Sequence, residues 1–417
     1  MNSTSDVVVI GGGIVGLCAA YYLSAEGVSV TVVERAEIGR ACSDRNAGLV
    51  VPSHVIPLAA PGMVAKGLKW MFDPESPFHI KPRFSADLMT WLFHFWRSGN
   101  AGYMKYSSSV LHQLFQESYL LFGDLSKNIG DFGYSHKGLL MLCSTQRGLD
   151  TEIEDAVIAR ELGMKVSVMN NHDIHQLEPR IRTSAVGGVY YHQDAHLDPT
   201  VLVENLRTAL RRRSVTLLTG AEVSSFQTVD KRIKSVMTSK GNLKADEFVL
   251  ASGSWSSVIA RRLSLRLPLQ PGKGYSVTFT PHVPFPEVPL ILSEAKVAVT
   301  PLGPRLRFAG TMELAGLDSN INQRRVNAIL KAVPKYLSNF QENEIEATQL
   351  WSGLRPCTPD GLPYIGRFRK VKNFIAATGH AMLGVTLAPI TGKLVADLLT
   401  AGKTSLDLSR LRPDRFN

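Results

Sequence analysis

The chain has 417 residues, 44% of them hydrophobic and 20% charged, an ordinary globular balance at a length that favours two hydrophobic cores over one. Its formal net charge of +10 raises nucleic acid, an anionic membrane surface or acidic substrates as partners, but the basic residues are scattered and no nucleic-acid motif accompanies them. Cys18, Cys42, Cys143 and Cys357 form no C-x-x-C, so neither a metal site nor a disulfide framework is expected.

Val7 to Ile10 reads as a buried parallel strand, and Gly11-Gly12-Gly13-Ile14-Val15-Gly16 follows without a spacer before the apolar run Leu17 to Leu23. A second buried strand, Val28 to Val33, ends in Glu34, 18 positions after Gly16. Strand, G-x-G-x-x-G, helix, strand and acid form a dinucleotide fingerprint. Gly11 allows the turn, Gly13 the approach of a pyrophosphate and Gly16 close packing of helix on strand, while the helix start holds the phosphates. Glu34 accepts from a ribose and repels a 2′-phosphate, which points to FAD or NAD rather than NADP. Val7 to Ala25 carries no charge, but Asp6 precedes it and no basic segment does. The expectation is a cytoplasmic protein without signal peptide or transmembrane helix.

The loop Ile38 to Gly48 is rich in small and polar residues, suited to run beside a flat ligand. Composition shifts over Ala59 to Tyr106, with Pro61, Pro74, Pro77 and Pro82 and the aromatic residues Trp91, Phe93, Phe95 and Trp96. A domain boundary is expected there, and the aromatic cluster reads as core or lid, or as a membrane-docking face. Helices are expected over Ser108 to Lys127 and Glu152 to Gly163, and strands over Lys137 to Ser144 and Val186 to Tyr191. Asp198-Pro199 sets up a helix start, with Val201, Leu202, Leu206, Ala209 and Leu210 as its buried stripe and Arg211 to Arg213 at its end.

Val215 to Leu218 and Phe248 to Ser252 read as strands flanking a β-meander that starts from Ala221 to Val223. Gly253-Ser254-Trp255-Ser256 then lies at the carboxyl end of a strand, where ligands of open α/β sheets bind. Lys273 to Phe279, Lys296 to Thr300 and Leu306 to Gly310 form an antiparallel sheet, and Asn322 to Leu337 an amphipathic helix. Phe374 to Ala377 is a strand, Gly379 to Gly384 a glycine-bounded turn, and Ala388 to Leu399 a helix. The fold class is therefore α/β plus α+β: a discontinuous Rossmann-like domain (1–58, 195–264 and 345–417) interleaved with an antiparallel-sheet substrate domain (59–194 and 265–344), with a cleft between them.

These motifs resemble the FAD-dependent amine and amino-acid oxidoreductases that include D-amino-acid dehydrogenase, glycine oxidase and sarcosine oxidase. The resemblance spans nearly the whole chain. It rests on Gly11 to Gly16 with Glu34, on Ser43-x-x-Asn46-Ala47-Gly48 and on Ala251 to Ser256. It also rests on Gly353-Leu354-Arg355-Pro356 with Asp360-Gly361-x-Pro363-x-Ile365-Gly366, and on Thr378-Gly379-His380. Asn46 to Met71, including Lys69-Trp70-Met71, and Pro271 to Ser276 are closest to the D-amino-acid dehydrogenase branch.

The resemblance implies FAD, bound non-covalently, since Cys357 does not fall on the position that carries the covalent link in sarcosine oxidases. Gly11, Gly13, Ile14, Val15, Gly16, Glu34, Arg35, Ser43, Asn46, Ala47, Gly48, Val223, Ser252, Gly253 and Trp255 would hold it. Gly379, His380, Leu383 and Gly384 would present backbone N–H groups to the flavin, with His380 packed against the ring. Arg355 would bind a substrate carboxylate as a bidentate fork, unless it is an internal partner of Asp360. Tyr275, His54 and Lys296 are further catalytic candidates.

The implied reaction is dehydrogenation of a D-amino acid or a cyclic D-imino acid of the D-proline or 4-hydroxy-D-proline type, by hydride transfer from Cα to flavin N5. No protein base is required if the amine binds neutral. Glycine or sarcosine oxidation, or a non-catalytic FAD-bearing subunit, are the alternatives. An NAD(P)H-fed reductase lacks its second fingerprint and cysteine pair here. The acceptor would be a quinone or oxygen; a quinone would place the protein peripherally on the inner face of the membrane.

Overall fold

The computed structural model describes residues 3–60, 62, 76–81, 83, 85–341 and 349–417; Pro61, Pro74, Pro82 and Lys69 to Met71 lie outside them. The strand Ser3–Ile10 is the axis of one sheet, hydrogen-bonded in parallel to Val30–Val33 on one side and Gly241–Leu250 on the other. Thr216–Leu218 extends it beyond Val30–Val33, and Phe374–Thr378 pairs in parallel with the end of Gly241–Leu250. Both faces of this sheet are covered, which is why its strands are continuous β-branched runs without alternation. Val7, Val9, Val32 and Ile375 meet helices Ile14–Ala25, Pro199–Arg212 and Gly384–Thr400. Val8, Ile10, Phe248 and Leu250 face the Val223–Thr238 hairpin and Leu265 to Leu269.

The second sheet is mainly antiparallel, in the order Gln349–Cys357, Gln270–Phe279, Arg305–Leu314, Val297–Leu302, Leu290–Leu292, Leu139–Cys143, Gly187–Tyr191, Val166–Met169. Its Val277, Val299 and Phe308 pack beneath Val326, Ile329 and Leu330 of helix Gln323–Ala332. Its other face looks toward the first sheet. Gln349–Cys357 is paired with Gln270–Phe279 along its whole length, so this strand, expected with the nucleotide-binding piece from 345 onward, belongs to the antiparallel sheet. Helix Ala101–Ile129, expected in the substrate domain, sends Phe122 and Leu125 into the core beneath the parallel sheet.

Three local expectations change. Val201 is exposed and Val203 takes its place in the buried stripe, because 202, 203, 206 and 210 share one helical face. The helix expected over 322–337 ends at Ala332 in a 3₁₀ turn, as Pro334 cannot donate to the helix ladder. The aromatic cluster is split by helix Ala86–Ser98: Trp91 and Phe95 stack in the core at 4.9 Å, whereas Met89, Phe93 and Trp96 are 64%, 54% and 65% exposed. Among the described residues one helical stretch, Ala381–Thr400, is long and apolar enough to cross a membrane, and most of it is buried inside the protein. Its Gly392 meets the Cys18 backbone so closely that a Cβ would lie 2.6 Å from the Cys18 carbonyl carbon.

Candidate active site

A cavity of about 590 Å³ runs between the two sheets, from Glu34 and Val223 at one end to Arg355, His54 and Lys296 at the other. The first end is built by backbone. Gly11 has φ +116°, and a Cβ there would lie 2.4 Å from the Ala251 carbonyl oxygen. At Gly16 a Cβ would lie 2.0 Å from the Gly11 oxygen, so this glycine serves helix–strand packing and does not line the cavity. Gly13 precedes the helix in extended conformation with no side chain to cap it, leaving the first N–H groups and the positive dipole end facing the cavity. Ser43 Oγ accepts from Ile14 N–H at 2.9 Å and ties the 38–48 loop to this helix start. The Glu34 carboxylate is fixed by N–H groups of Gly12 and Ala36 at 2.9 and 3.0 Å, and Arg35 lies 3.9 Å above the Trp255 ring. A cradle of bare backbone at a helix start, with an acid beside it, matches a pyrophosphate and ribose.

The far end is roofed by the antiparallel sheet. Arg355 sits on Gln349–Cys357, and its guanidinium occupies the space where Gly274 lacks a side chain: a Cβ on Gly274 would meet Nη1 at 2.1 Å. Nη1 donates to the Thr311 carbonyl at 2.7 Å, and Thr311 holds the left-handed φ of +66° that aims this oxygen. Among the described residues no carboxylate pairs with Arg355, and burial lowers its proton affinity. A cation fixed on a cavity wall without a counter-ion is completed by an anionic ligand. Asp360 is taken instead by Arg415, whose Nε and Nη2 reach its two oxygens at 2.7 and 2.8 Å, with Tyr103 adding a hydroxyl at 2.8 Å. The internal-partner reading of Arg355 with Asp360 is therefore excluded.

The other catalytic candidates separate. Tyr275 alternates with Gly274 along its strand, so its ring enters the core under helix Gln323–Ala332. Its hydroxyl donates to Glu313 at 2.8 Å, and the residue still borders the cavity beside Gly274. His54 and Lys296 both border the cavity. Lys296 closes a turn with φ +52° and lies 3.5 Å from Glu152. His54 Nδ1 lies 3.0 Å from Ser53 Oγ, and burial, with Lys296 nearby, lowers its pKa to about 4.

The turn after Phe374–Thr378 brings His380, Leu383 and Gly384 to the wall. Gly379 is displaced from it: at φ +83° it packs against Thr358 and Tyr364. His380 is buried, with Nε2 2.8 Å from Thr391 Oγ1, and burial lowers its pKa to about 3; it is a neutral packing group. Ile14, Val15, Asn46, Ala47, Gly48, Ser252 and Gly253 all line the cavity. Sequence reasoning passed over Cys42, whose Sγ accepts from Leu354 N–H at 3.3 Å, and over Gly274, Thr311, Ser53 and Asp194. Gly274 stands in the Pro271 to Ser276 segment and Cys42 in the 38–48 loop, but each of the five acquires its role only through a partner distant in sequence. Cys357 is buried and off the cavity wall.

The fold and site fit a dinucleotide-dependent enzyme, with a glycine cradle at the carboxyl edge of the parallel sheet and Arg355 on the cavity wall under the antiparallel one. Residues 6–398 match the family described as FAD dependent oxidoreductase, and the chain belongs to that family. It is 32% identical over 420 residues to a D-amino acid dehydrogenase of Granulibacter bethesdensis, covering 98% of this chain and 99% of that protein. It is also 32% identical over 421 residues to one of Bradyrhizobium diazoefficiens, covering 98% of each. The fold matches glycine oxidase from Geobacillus kaustophilus with a TM-score of 0.80 at 23% identity, over 99% of both chains. L-proline dehydrogenase from P. horikoshii gives 0.77 at 21% identity, over 100% of this chain and 98% of that one. The protein is an FAD-dependent oxidoreductase, and the glycine cradle, Ser43 and Glu34 are the residues suited to hold FAD.

Proposed function

We propose that this enzyme dehydrogenates a D-amino acid or a cyclic D-imino acid of the D-proline or 4-hydroxy-D-proline type at its Cα–N bond. The observation that carries this reading is Arg355: a guanidinium on the cavity wall, positioned by Thr311 and given room by Gly274, with no carboxylate partner among the described residues. The full-length relatives named D-amino acid dehydrogenase support the choice of substrate class. Bound FAD, held non-covalently, supplies the two-electron acceptor for a hydride from Cα. Arg355 fixes the substrate carboxylate, and with it the rotation of Cα. Met141, Ile291 and Ala298 give the cavity an apolar roof that excludes water from the reacting carbon. The product imine is hydrolysed by water, or persists when cyclic. The exposed Met89, Phe93 and Trp96, one turn apart on a single helix face, support docking at a membrane surface, where a quinone takes the electrons.

The test is the flavin absorbance at about 450 nm under anaerobic conditions, with D- and L-amino acids, cyclic imino acids, glycine and sarcosine added separately. Bleaching by D-acids or cyclic D-imino acids is expected. Bleaching only by glycine or sarcosine transfers the enzyme to the amine-oxidase alternative, and bleaching by none of them overturns the reading. Admitting air then separates oxygen from quinone as acceptor.

A further inference from the structure

An amino acid carries a protonated amine at neutral pH, and a protonated nitrogen has no lone pair with which to expel a hydride. Arg355 binds the carboxylate but cannot accept a proton. The cavity wall does hold a group that can. The ribbon formed by Leu49–Val50 and Ala195–His196 pairs Val50 with Ala195, which brings the turn after Val50 against Asp194. There Asp194 is fully buried, accepting from Ser53 N–H at 3.1 Å and from the Ser53 hydroxyl at 2.5 Å. No cation pairs with it among the described residues, and burial pushes its pKa up to about 7. The same Ser53 oxygen is 3.0 Å from His54 Nδ1, and His54 is part of the cavity wall.

The proton positions on these three residues are coupled. An ionised Asp194 only accepts, so the Ser53 proton points to it and Nδ1–H of His54 must donate to Ser53 Oγ. That tautomer leaves Nε2 as a bare acceptor. With Asp194 protonated, every hydrogen reverses: the acid donates to Ser53, Ser53 donates to Nδ1, and Nε2 carries the proton. The chain thus has two states, with a neutral imidazole in both.

We infer that His54, Ser53 and Asp194 form a proton relay that accepts the substrate's ammonium proton at His54 Nε2 and stores it on the Asp194 carboxylate. The inference rests on the proposed amino-acid substrate. An N–H bond of the ammonium breaks as Nε2–H forms, Nδ1–H passes to Ser53 Oγ, and the former hydroxyl proton passes to Asp194. No electron moves between molecules in this step; it leaves the amine its lone pair for hydride departure. The ionisable groups around the relay agree with it. Lys296, beside His54, opposes an imidazolium and so favours passage of the proton onward, and is itself paired with Glu152. Tyr119, Tyr190 and Tyr191, on the far side, each feel the Asp194 charge and have their pKa values raised, chiefly by burial, so they stay protonated.

Two measurements on the FAD-loaded protein test the relay. The first is anaerobic flavin reduction by a D-amino acid that the wild type oxidises, followed against pH for wild type, His54→Gln, Asp194→Asn and Ser53→Ala. The variants should be slower by about 10²-fold near neutrality and recover as pH approaches the substrate amine's own pKa, where free base binds directly. Ser53→Ala is the informative change because it leaves both titratable groups in place; flavin content and Tm report its folding. The second is the infrared difference spectrum on binding α-aminoisobutyrate, which has no Cα hydrogen to lose. At pH 8 the wild type should gain the carbonyl band of a protonated carboxyl, and each variant should lack it.

Variant pH profiles parallel to that of the wild type, or no such band in wild type, overturn the relay while leaving the substrate assignment standing. A wild type that neither binds α-aminoisobutyrate nor is reduced by any amino acid overturns both.

Discussion

The two ends of the cavity are made by different means. The nucleotide end is written by neighbours in sequence: between Ser3 and Ser43 the chain supplies strand, glycine turn, helix start, Glu34 and Ser43, and it is backbone that faces the cavity. The substrate end is assembled from strands far apart. Arg355 lies against Gly274 and Thr311, and Ser53 meets Asp194 across 141 positions. A site made of backbone fails when a side chain intrudes, and one made of long-range pairs fails when a partner is lost. Substitutions at the two ends should therefore separate cofactor binding from substrate binding.

The largest effect is expected from Gly11→Ala. A Cβ 2.4 Å from the Ala251 oxygen, on a residue with φ +116°, cannot be relieved by a side-chain rotation. Affinity for FAD should fall by at least about 10²-fold, since strain at such a position costs several kcal/mol; a flavin titration of the purified protein measures it. Next comes Arg415→Ala, which strips the buried Asp360 of its bidentate partner. Stability should fall by about 3–5 kcal/mol, seen as a lower Tm. Flavin reduction by substrate should stay within about threefold of wild type in the fraction that remains folded, because this pair holds the chain end to the 360–363 loop and does not touch the Arg355 guanidinium.

Arg355→Lys should weaken substrate binding by about 10²-fold while leaving the flavin spectrum unchanged, since a point charge replaces a planar fork; substrate-dependent reduction rates measure it. Equal loss of FAD and substrate affinity in this variant would break the comparison between the two ends. Gly274→Ala places a Cβ 2.1 Å from Arg355 Nη1, but the tip of an arginine can shift. A rise in KM of about threefold to tenfold, or about 1 kcal/mol, is expected.

A pH-dependent effect concerns Asp194. Its carboxyl is raised from 3.8 to about 7 by burial, so between those values the folded state holds a proton that the unfolded chain has lost. Stability therefore falls as pH rises through that window. Asp194→Asn removes the slope, and its Tm relative to wild type should climb between pH 4 and pH 7, by the equivalent of about 1–3 kcal/mol. A flat difference would show Asp194 ionised in both states.

Much of this was legible in the chain, for reasons that differ by region. Val7 to Ile10 and Val28 to Val33 announce doubly covered strands because a parallel sheet buries both faces, and the glycines after the first strand are the residues that allow that turn. The boundary at 345 was misplaced because Gln349–Cys357 has no local mark of the sheet it joins. Its membership is settled by nine backbone pairs with Gln270–Phe279. Tyr275 borders the cavity, but its ring lies in the core and its hydroxyl bonds Glu313, while Gly274 beside it makes room for Arg355; these contacts are set by partners remote in sequence.

The sequence by itself determined the glycine turn of the cofactor cradle, the alternation of parallel-sheet and antiparallel-sheet segments along the chain and the place of Arg355 on a strand. These rest on short-range sterics and hydrophobic periodicity. Only the tertiary structure decided which acid pairs with which base. It gave Asp360 to Arg415, left Arg355 open to a ligand, buried Asp194 behind Ser53 and divided the aromatic helix into a core face and an exposed one. Charges and protons are governed by what lies within a few ångströms and by how much water remains there, and folding sets both through contacts between residues remote in sequence.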